Sequence, residues 1–343
     1  MSFKLSGNTN LALDKNDALV NAYIGARNRH FRILIIQFIQ MIGFKVFVTA
    51  GLLLIGGALV LNQEMNIGQF VAAEIIILLV IASVEKLITG LESFYDVLTS
   101  IEKLGQIVDK ELESQEGSKS TFKNGIHIEL DSISYEVKNK EKPIIQNVSL
   151  QVEPKSRLLI QGESGTGKSS LLQLISGVIT PTSGNIYINN LSLSSLHLNH
   201  YRSNLGLSLS DETPFEGTIK ENLTFGNVTI DEELIFEVLD SVGLTQFIKE
   251  QSNGLETILN PEGKQMSYTI AKKIILARAI IKQPKVMILE DPLDQFNPKE
   301  TNKIINYLTD TQRPWSLIVV SSNKDWIKKC TQVITLVKGS VNE

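Results

Sequence analysis

The chain is poor in the residues that build disulfides and structural zinc sites. Its 343 residues include one cysteine, Cys330, and four histidines. A single cysteine cannot form an internal disulfide and cannot supply the cysteine pairs of a structural zinc site. The sequence therefore indicates a cytosolic compartment for the domain that holds Cys330, and it predicts an inert thiol there.

The chain also lacks an excess of positive charge. It has 33 lysine and arginine residues against 37 aspartate and glutamate residues, which gives a formal net charge of −4. No block of basic residues of the kind that contacts a phosphate backbone occurs. A nucleic-acid partner is therefore not expected.

Hydrophobic residues make up 43% of the chain, and their distribution is very uneven. Two apolar stretches, at about 33–61 and 67–88, are each close to the ~20 residues that a helix needs to cross a bilayer. Lysine and arginine flank the pair but are absent from the turn at 62–66, which predicts both ends in the cytoplasm. A buried helical hairpin in a large soluble protein is the alternative.

Two charged residues stand inside or close to these stretches. Lys45 lies near the predicted cytoplasmic end, where its long side chain is expected to reach the interface. Glu74 lies about two turns below the outer connection, where a carboxylate is costly unless it faces protein or water. The sequence leaves open whether Glu74 lines a substrate path or lies at the interface.

The remainder of the chain has the pattern of a soluble domain. Residues 111–123 are polar and have no apolar period, which predicts a linker. Residues 124–343 alternate short β-rich runs with helical patterns. Such alternation predicts an α/β domain with a largely parallel central sheet.

A phosphate-binding loop is the most specific motif in the sequence. Residues 162–169 match the pattern GxxxxGK[ST], and they stand between a strand pattern and a helical pattern, as that motif requires. Its glycines let backbone N–H groups converge on phosphate oxygens, and the helix N-terminus adds its dipole. Lys168 is predicted to contact the β and γ phosphates of ATP, and Ser169 to hold Mg²⁺. The residues of this loop predicted to bind ATP are Gly162, Glu163, Ser164, Gly165, Thr166, Gly167, Lys168, Ser169 and Ser170.

Further segments resemble the ABC transporter family in its exporter branch, over nearly the whole chain. Ser134-Tyr135 resembles the aromatic loop that stacks on adenine, and 215–223 resembles the family stretch "FDGTIRENI". The turn at 65–70 resembles the start of the sixth span, and Ser2-Phe3-Lys4-Leu5 resembles the end of the second cytoplasmic loop. The two spans thus resemble the fifth and sixth of six, which implies four further spans.

The resemblance implies a fold and a set of boundaries. The fold is an α/β P-loop NTPase, of the ABC nucleotide-binding type, preceded by an all-α segment with two membrane spans. Residues 1–110 are then a partial transmembrane domain, 111–123 a linker and 124–343 the nucleotide-binding domain.

Several positions depart from the family pattern. The family has aspartate and then glutamate where this chain has Glu290 and Asp291. The resemblance implies that Asp291 acts as general base beside Lys168, although it is one methylene shorter than glutamate. It also implies that Glu290 supports Mg²⁺ together with Ser169. Ser210 and Ser322 stand where the family has a glutamine and a histidine.

The family signature "LSGGQ" is the most altered motif. The equivalent residues 266–270 read Met-Ser-Tyr-Thr-Ile, so that only Ser267 is kept. In the family this serine contacts the ATP that is bound by the opposite subunit. Tyr268 and Thr269 replace the two glycines that let the backbone approach that phosphate.

Two functions remain open at this stage. The first is an ATP-binding subunit of an exporter with slow hydrolysis, which would make the chain an ATPase. The second is a non-catalytic nucleotide-binding subunit or a truncated remnant. For both, the resemblance implies ATP and Mg²⁺ as cofactors. The implied partners are a second half-transporter in a homo- or heterodimer, a chain supplying the missing spans, and membrane lipid. The implied location is the cell (inner) membrane, multi-pass, with the nucleotide-binding domain in the cytoplasm.

Overall fold

Two long helices form the first part of the chain, and an α/β unit forms the second. The structure is a computed structural model that describes residues 10–137, 142–264 and 266–342. The boundary between its two compact units lies between Leu112 and Glu113. The segment Ser2-Phe3-Lys4-Leu5, which carries part of the family resemblance, lies outside the described residues.

The first unit is a helical hairpin of α1 (Leu11–Leu61) and α2 (Ile67–Val108). Asn66 begins α2 with a reciprocal cap: its side chain accepts from the Gln69 N–H at 2.8 Å, and the Gln69 side chain accepts from the Asn66 N–H at 3.1 Å. The helices approach closely at Gly56, where an added Cβ would lie 2.5 Å from the ring of Phe70. A glycine at such a contact is what close packing of membrane helices requires.

Both helices are long and apolar enough to cross a membrane. In each, only 6% of the most apolar 18-residue stretch is buried, so neither is a core helix of the described chain. At about 1.5 Å per residue, α1 with its 51 residues is about 75 Å long. The hydrocarbon layer is only about 30 Å thick, so α1 continues well beyond a single crossing.

Lys45 has a partner that the sequence did not reveal. Its Nζ lies 3.1 Å from Glu85 Oε1 on the neighbouring helix. The two residues are opposite each other because the turn at 62–66 lies midway between them along the chain. Glu74 is partly buried, and both explanations offered for it stay predictions.

Short strands and helices alternate through the second unit, as the sequence predicts. Its described strands are β1 (Ile128–Tyr135), β2 (Ile145–Val152), β3 (Arg157–Gln161), β4 (Ser183–Ile188), β5 (Leu191–Ser192), β6 (Leu205–Ser208), β7 (Gly217–Thr218), β8 (Ile258–Leu259), β9 (Val286–Glu290), β10 (Ser316–Val320), β11 (Gln332–Val337) and β12 (Ser340–Asn342). Its described α-helices are α3 (Lys168–Ile175), α4 (Leu198–Ser203), α5 (Ile219–Thr224), α6 (Glu232–Ser241), α7 (Thr245–Glu250), α8 (Tyr268–Ile281) and α9 (Pro298–Leu308).

The main sheet has six strands in the order β12-β11-β3-β10-β9-β6. All neighbours in it are parallel except the edge pair β11 and β12. A four-stranded antiparallel sheet, β2-β1-β4-β5, forms a second layer. The prediction of an α/β domain with a largely parallel central sheet is confirmed.

Each face of the main sheet covers its own hydrophobic core. Strand β3 shows why, since successive side chains of a strand point to opposite faces. Leu158 and Ile160 belong to the core shared with the antiparallel sheet and α3, whereas Leu159 belongs to the core under α5–α9. The strand is therefore fixed from both sides, and the loop that follows it starts from a rigid base.

The segment predicted as a linker is attached to the second unit from Glu113 onward. The Ser118 N–H donates to Ser195 O at 2.9 Å, and the His197 N–H donates to Ser118 O at 3.0 Å. Glu113 forms an ion pair with Arg202, and Phe122 is buried. The polar composition of residues 111–123 predicts a free linker. Composition cannot show that backbone groups in this segment have hydrogen-bond partners in the second unit, as Ser118 does.

Cys330 behaves as an unreactive thiol in this fold. It is half-buried against the core under α5–α9. Burial raises the pKa of its thiol to about 11, against the opposing effect of the Arg157 charge. Since the thiolate is the reactive form, this environment agrees with the inert thiol predicted from the sequence.

Candidate functional site

The loop between β3 and α3 forms a cradle of backbone groups. Gly162, Gly165 and Gly167 have φ angles of 149°, 82° and 98°, a region that glycine enters without a Cβ penalty. Helix α3 begins directly after Gly167, which is its N-cap residue and has no capping side chain. Its first N–H groups are therefore available to an anion at the loop.

Two of these glycines also have no room for a side chain. An added Cβ at Gly162 would lie 2.4 Å from Leu336 O, and one at Gly167 would lie 2.8 Å from Ile144 O. Both neighbours are backbone atoms, Leu336 within β11 and Ile144 directly before β2, and such atoms cannot move aside easily. At Gly165 an added Cβ would have no neighbour within 4 Å.

We expect Gly162→Ala to weaken ATP binding by about tenfold or more, because the loop must shift to relieve the contact with Leu336 O. Titration with a fluorescent ATP analogue measures the affinity. Gly226→Ala is the matched control, since Gly226 also has a positive φ angle, of 74°, and an added Cβ there would have no neighbour within 4 Å, while the residue lies outside the loop and the described lining of the cavity. Equal affinities for the two variants would contradict this account of the loop.

The ammonium group of Lys168 lies across the mouth of this loop. Its Nζ donates to Gly162 O at 2.9 Å and to Glu163 O at 2.7 Å. The Thr166 hydroxyl donates to the same Glu163 carbonyl at 2.9 Å. Lys168 thus brings a positive charge to the point on which the loop N–H groups converge.

Glu290 joins the phosphate-binding loop to a second loop. It is the last residue of β9 and is buried, and one of its carboxylate oxygens accepts from the Ser169 hydroxyl. Its other oxygen accepts from the Ser210 N–H at 3.1 Å. A hydroxyl and a carboxylate side by side are the hard oxygen ligands that Mg²⁺ prefers. The extra methylene of glutamate, relative to aspartate, lets this carboxylate reach Ser169 directly.

Asp291 is the next residue along the chain and lies beside Glu290 in the lining of a cavity. Its φ angle is 39°, and its N–H donates to Val320 O at 2.9 Å, which fixes the turn after β9. Desolvation by the surrounding protein raises the pKa of the carboxyl, the charges of Glu290 and Asp294 raise it further, and Lys168 and Lys272 oppose them. A carboxylate with a raised pKa is a stronger base than an ordinary aspartate.

With Asp291 as the general base that the family resemblance implies, ATP hydrolysis should fall as the pH decreases through the raised pKa of this carboxyl. Only the deprotonated carboxylate accepts a proton, so the acid limb should lie above the ordinary aspartate value of 3.8. A pH profile of kcat measures this limb. In Asp291→Asn the limb should disappear together with most of the turnover, and an unchanged limb would mean that another group is the base.

A cavity of about 1150 Å³ opens in front of these groups. Its described lining on the loop side is Ser164, Gly165, Gly167, Lys168, Ser169 and Ser170, with Glu290 and Asp291 beside them. Two further segments that the sequence did not single out complete it, namely Lys142, Pro143, Ile144 and Gln146, and Val337, Lys338, Gly339 and Ser340. Gly162, Glu163 and Thr166 shape the loop without lining the cavity.

The two additional segments are joined by backbone contacts. The Gln146 N–H donates to Gly339 O at 2.8 Å, and an added Cβ at Gly339 would lie 2.5 Å from Ile144 O. The Lys338-Gly339 pair between two β-rich runs is a turn signal, but its closeness to Ile144 depends on how the two sheets pack against each other.

Tyr135 is the residue predicted to stack on adenine. It is the last residue of β1, pairs with Ile145 of β2, and packs against the hydrophobic core. It is not among the described residues that line the cavity. Residues 138–141, which follow it, are outside the described part of the chain. Stacking of Tyr135 on adenine stays a prediction.

Ser267 is separated from this cavity. Its hydroxyl caps α8 by accepting from the Ile270 N–H at 3.3 Å. The neighbouring Tyr268 ring is 46% exposed, where the family has a glycine. Ser322 is also exposed. Contact of Ser267 with an ATP bound by a second half therefore stays a prediction.

Sequence comparison connects this arrangement to known proteins. The profile of the ABC transporter family matches residues 145–294. The chain is 25% identical over 307 residues to the alpha-hemolysin translocation ATP-binding protein HlyB of Escherichia coli O157:H7, covering 90% of this chain and 43% of that protein. The leukotoxin translocation ATP-binding protein LktB of Mannheimia haemolytica matches with the same identity and the same coverage. The chain thus spans less than half the length of these curated relatives.

A solved structure shares the fold. A bacterial Atm1-family ABC exporter with ATP bound superposes with a TM-score of 0.65 at 19% identity, over 72% of this chain and 43% of that one. The family match contains the whole phosphate-binding loop together with Glu290 and Asp291. Residues 145–294 therefore contain an ABC transporter domain, and the chain is similar over 90% of its length to the ATP-binding translocation proteins of ABC exporters.

Proposed function

We propose that this chain is the ATP-binding membrane subunit of an ABC exporter, in which ATP binding and slow hydrolysis are coupled to export. The observation that carries the proposal is the cradle of Gly162, Gly165 and Gly167 with Lys168 at its mouth and the Ser169–Glu290 pair beside it. These groups supply N–H donors, a positive charge and hard oxygen ligands at one place. That combination suits a magnesium-bound nucleoside triphosphate.

The roles of individual residues follow from this arrangement. Lys168 and the N–H groups from 162 to 170 bind and orient the phosphates, and Ser169 with Glu290 would hold Mg²⁺. When bound there, Mg²⁺ would supply neutralisation of phosphate charge. Asp291 is the proposed general base, and Tyr135 and Ser267 are proposed contacts to nucleotide, the latter in a site shared with a second half.

Slow turnover is expected from the length of two side chains. Glu290 reaches the Ser169 hydroxyl, whereas Asp291 has one methylene less than the glutamate of the family. A general base must lie within about 2.6–3.2 Å of its proton, or act through a water molecule. A retracted carboxylate meets that condition in fewer conformations.

The assembly and location are parts of the same proposal. The chain would work with a second half-transporter, as a homo- or heterodimer, and with a chain supplying further spans. The proposed domains are 1–110 in the membrane, 111–123 as connection and 124–343 as the cytoplasmic nucleotide-binding domain. The proposed location is the cell (inner) membrane, with both long helices crossing it.

Reconstitution into lipid vesicles tests the proposal. ATP binding and Mg-ATP hydrolysis should be measured on the same preparation. Binding with slow hydrolysis is the expected result. Binding without any turnover would favour a non-catalytic nucleotide-binding subunit, and absence of binding would overturn the proposal.

A further inference from the structure

Helix α8 carries a buried lysine that points to the loop after β6. Lys272 is 5% exposed, and its Nζ donates to the Ser210 carbonyl oxygen at 3.2 Å. The ammonium also lies 5.7 Å from the centroid of the Tyr268 ring. A buried ammonium is costly in free energy unless it is compensated, so losing the contact with the Ser210 carbonyl would be unfavourable.

Ser210 passes this contact on to the nucleotide site through its main chain. Its carbonyl accepts from Lys272, and its own N–H donates to Glu290 Oε2 at 3.1 Å. The other oxygen of Glu290 accepts from the Ser169 hydroxyl. Hydrogen bonds thus run without a gap from Lys272 on α8 through Ser210 and Glu290 to Ser169 in the phosphate-binding loop.

Other contacts hold the same loop against α8. Glu212 accepts from the Leu209 N–H at 3.4 Å, and its second oxygen lies 3.9 Å from Arg278 Nη1. Arg278 is in turn fixed by Asn222, whose carbonyl and side-chain oxygens accept at 2.6 and 2.8 Å. Helix α8 therefore contacts this loop through two side chains, Arg278 and Lys272. Lys272 is the one that contacts Ser210, whose N–H donates to Glu290.

We propose that Lys272 is a positioning residue of the magnesium–nucleotide site, which holds the Ser210 N–H against Glu290 and so keeps that carboxylate beside Ser169. The proposal rests on the proposed function as an ATP-binding subunit. Ser210 takes part in this arrangement through its main-chain N–H and carbonyl groups. Lys272 itself does not touch the nucleotide.

The first test uses the nucleotide-free, metal-free protein. Hydrogen exchange resolved to the peptide that contains Ser210 should show a protected amide in the wild type. In Lys272→Met we expect exchange of this amide to become about tenfold faster, because its carbonyl anchor is lost. An unprotected Ser210 amide in the wild type overturns the proposal without any variant having to fold.

The second test compares ATP affinity with Mg²⁺ and with EDTA. In Lys272→Met the gain in affinity that Mg²⁺ gives should fall about tenfold, while affinity in EDTA stays near the wild-type value. Lys272→Arg should restore most of the gain, since it keeps a charged donor of similar length.

Lys273→Met is the matched control. Lys273 is equally buried in the next position of α8, but its Nζ contacts Glu300 at 2.9 Å and Gly243 O at 3.3 Å. The Lys273→Met variant should lose stability to a similar degree as Lys272→Met, and its gain in ATP affinity with Mg²⁺ should equal that of the wild type. A wild-type gain in Lys272→Met overturns the role of Lys272, whereas a wild-type protein that binds no ATP overturns the proposed function instead.

Discussion

Replacing Lys168 by alanine is expected to weaken Mg-ATP binding by about 100-fold, on the order of 3 kcal/mol. The ammonium lies at the mouth of the loop, held 2.9 and 2.7 Å from the carbonyls of Gly162 and Glu163. Bound phosphates would exchange these neutral acceptors for charged ones, and hydrogen bonds between charged groups are the strong ones. Isothermal titration of the purified chain measures the loss.

The control for this variant is Lys220→Ala. Lys220 is a surface lysine whose Nζ lies 3.2 Å from Glu232. It is distant from the loop in the sequence, and it is not among the described residues that line the cavity. It removes the same charge and the same side chain, and it should leave the affinity within about twofold of the wild type. If Lys168→Ala binds as well as Lys220→Ala, the cavity at the loop is not the nucleotide site.

The double substitution Glu290→Asp with Asp291→Glu is expected to raise the rate of ATP hydrolysis by about 100-fold, the lower end of what a well-placed general base supplies. Shortening residue 290 withdraws its carboxylate from direct contact with the Ser169 hydroxyl. Lengthening residue 291 extends the second carboxylate toward the cavity that Asp291 already lines. Steady-state phosphate release by the reconstituted chain measures the change.

The two single substitutions separate these contributions. Asp291→Glu alone should give part of the gain, because the base is extended but Glu290 still bridges Ser169 and Ser210. Glu290→Asp alone should not raise turnover, because the base remains short. A double variant no faster than the wild type would show that the reach of these carboxylates does not limit turnover.

The central features of the fold and site follow from local sequence patterns. The phosphate-binding loop is predictable because its chemistry resides in consecutive residues, and the run of apolar residues at 286–289 predicts a buried strand. The structure confirms the loop between β3 and α3 and the strand β9. Hydrophobicity predicted two helices at about 33–61 and 67–88. It did not predict that the first begins as early as Leu11 or that the second continues to Val108, because those extensions contain charged residues.

The contacts that sequence patterns missed are made by the main chain or join distant segments. Ser210 serves the site through its N–H, which every residue but proline carries, so its identity gives no signal. Lys142, Ile144 and Gly339 reach the cavity because β2 and the turn after β11 meet in space. For Tyr135 the resemblance suggested an aromatic loop, whereas the structure has this residue at the end of β1 and packed against the core.

The burial of Cys330 makes the chain suitable for labelling chemistry. Because burial raises the pKa of this thiol to about 11, little of it is in the reactive thiolate form at neutral pH. A cysteine introduced at an exposed position such as Ser322 would have an ordinary thiol and react far faster with a maleimide. One dye could then be attached to the native sequence background without first removing a cysteine, and its fluorescence would report on the surroundings of residue 322 in the otherwise unaltered protein.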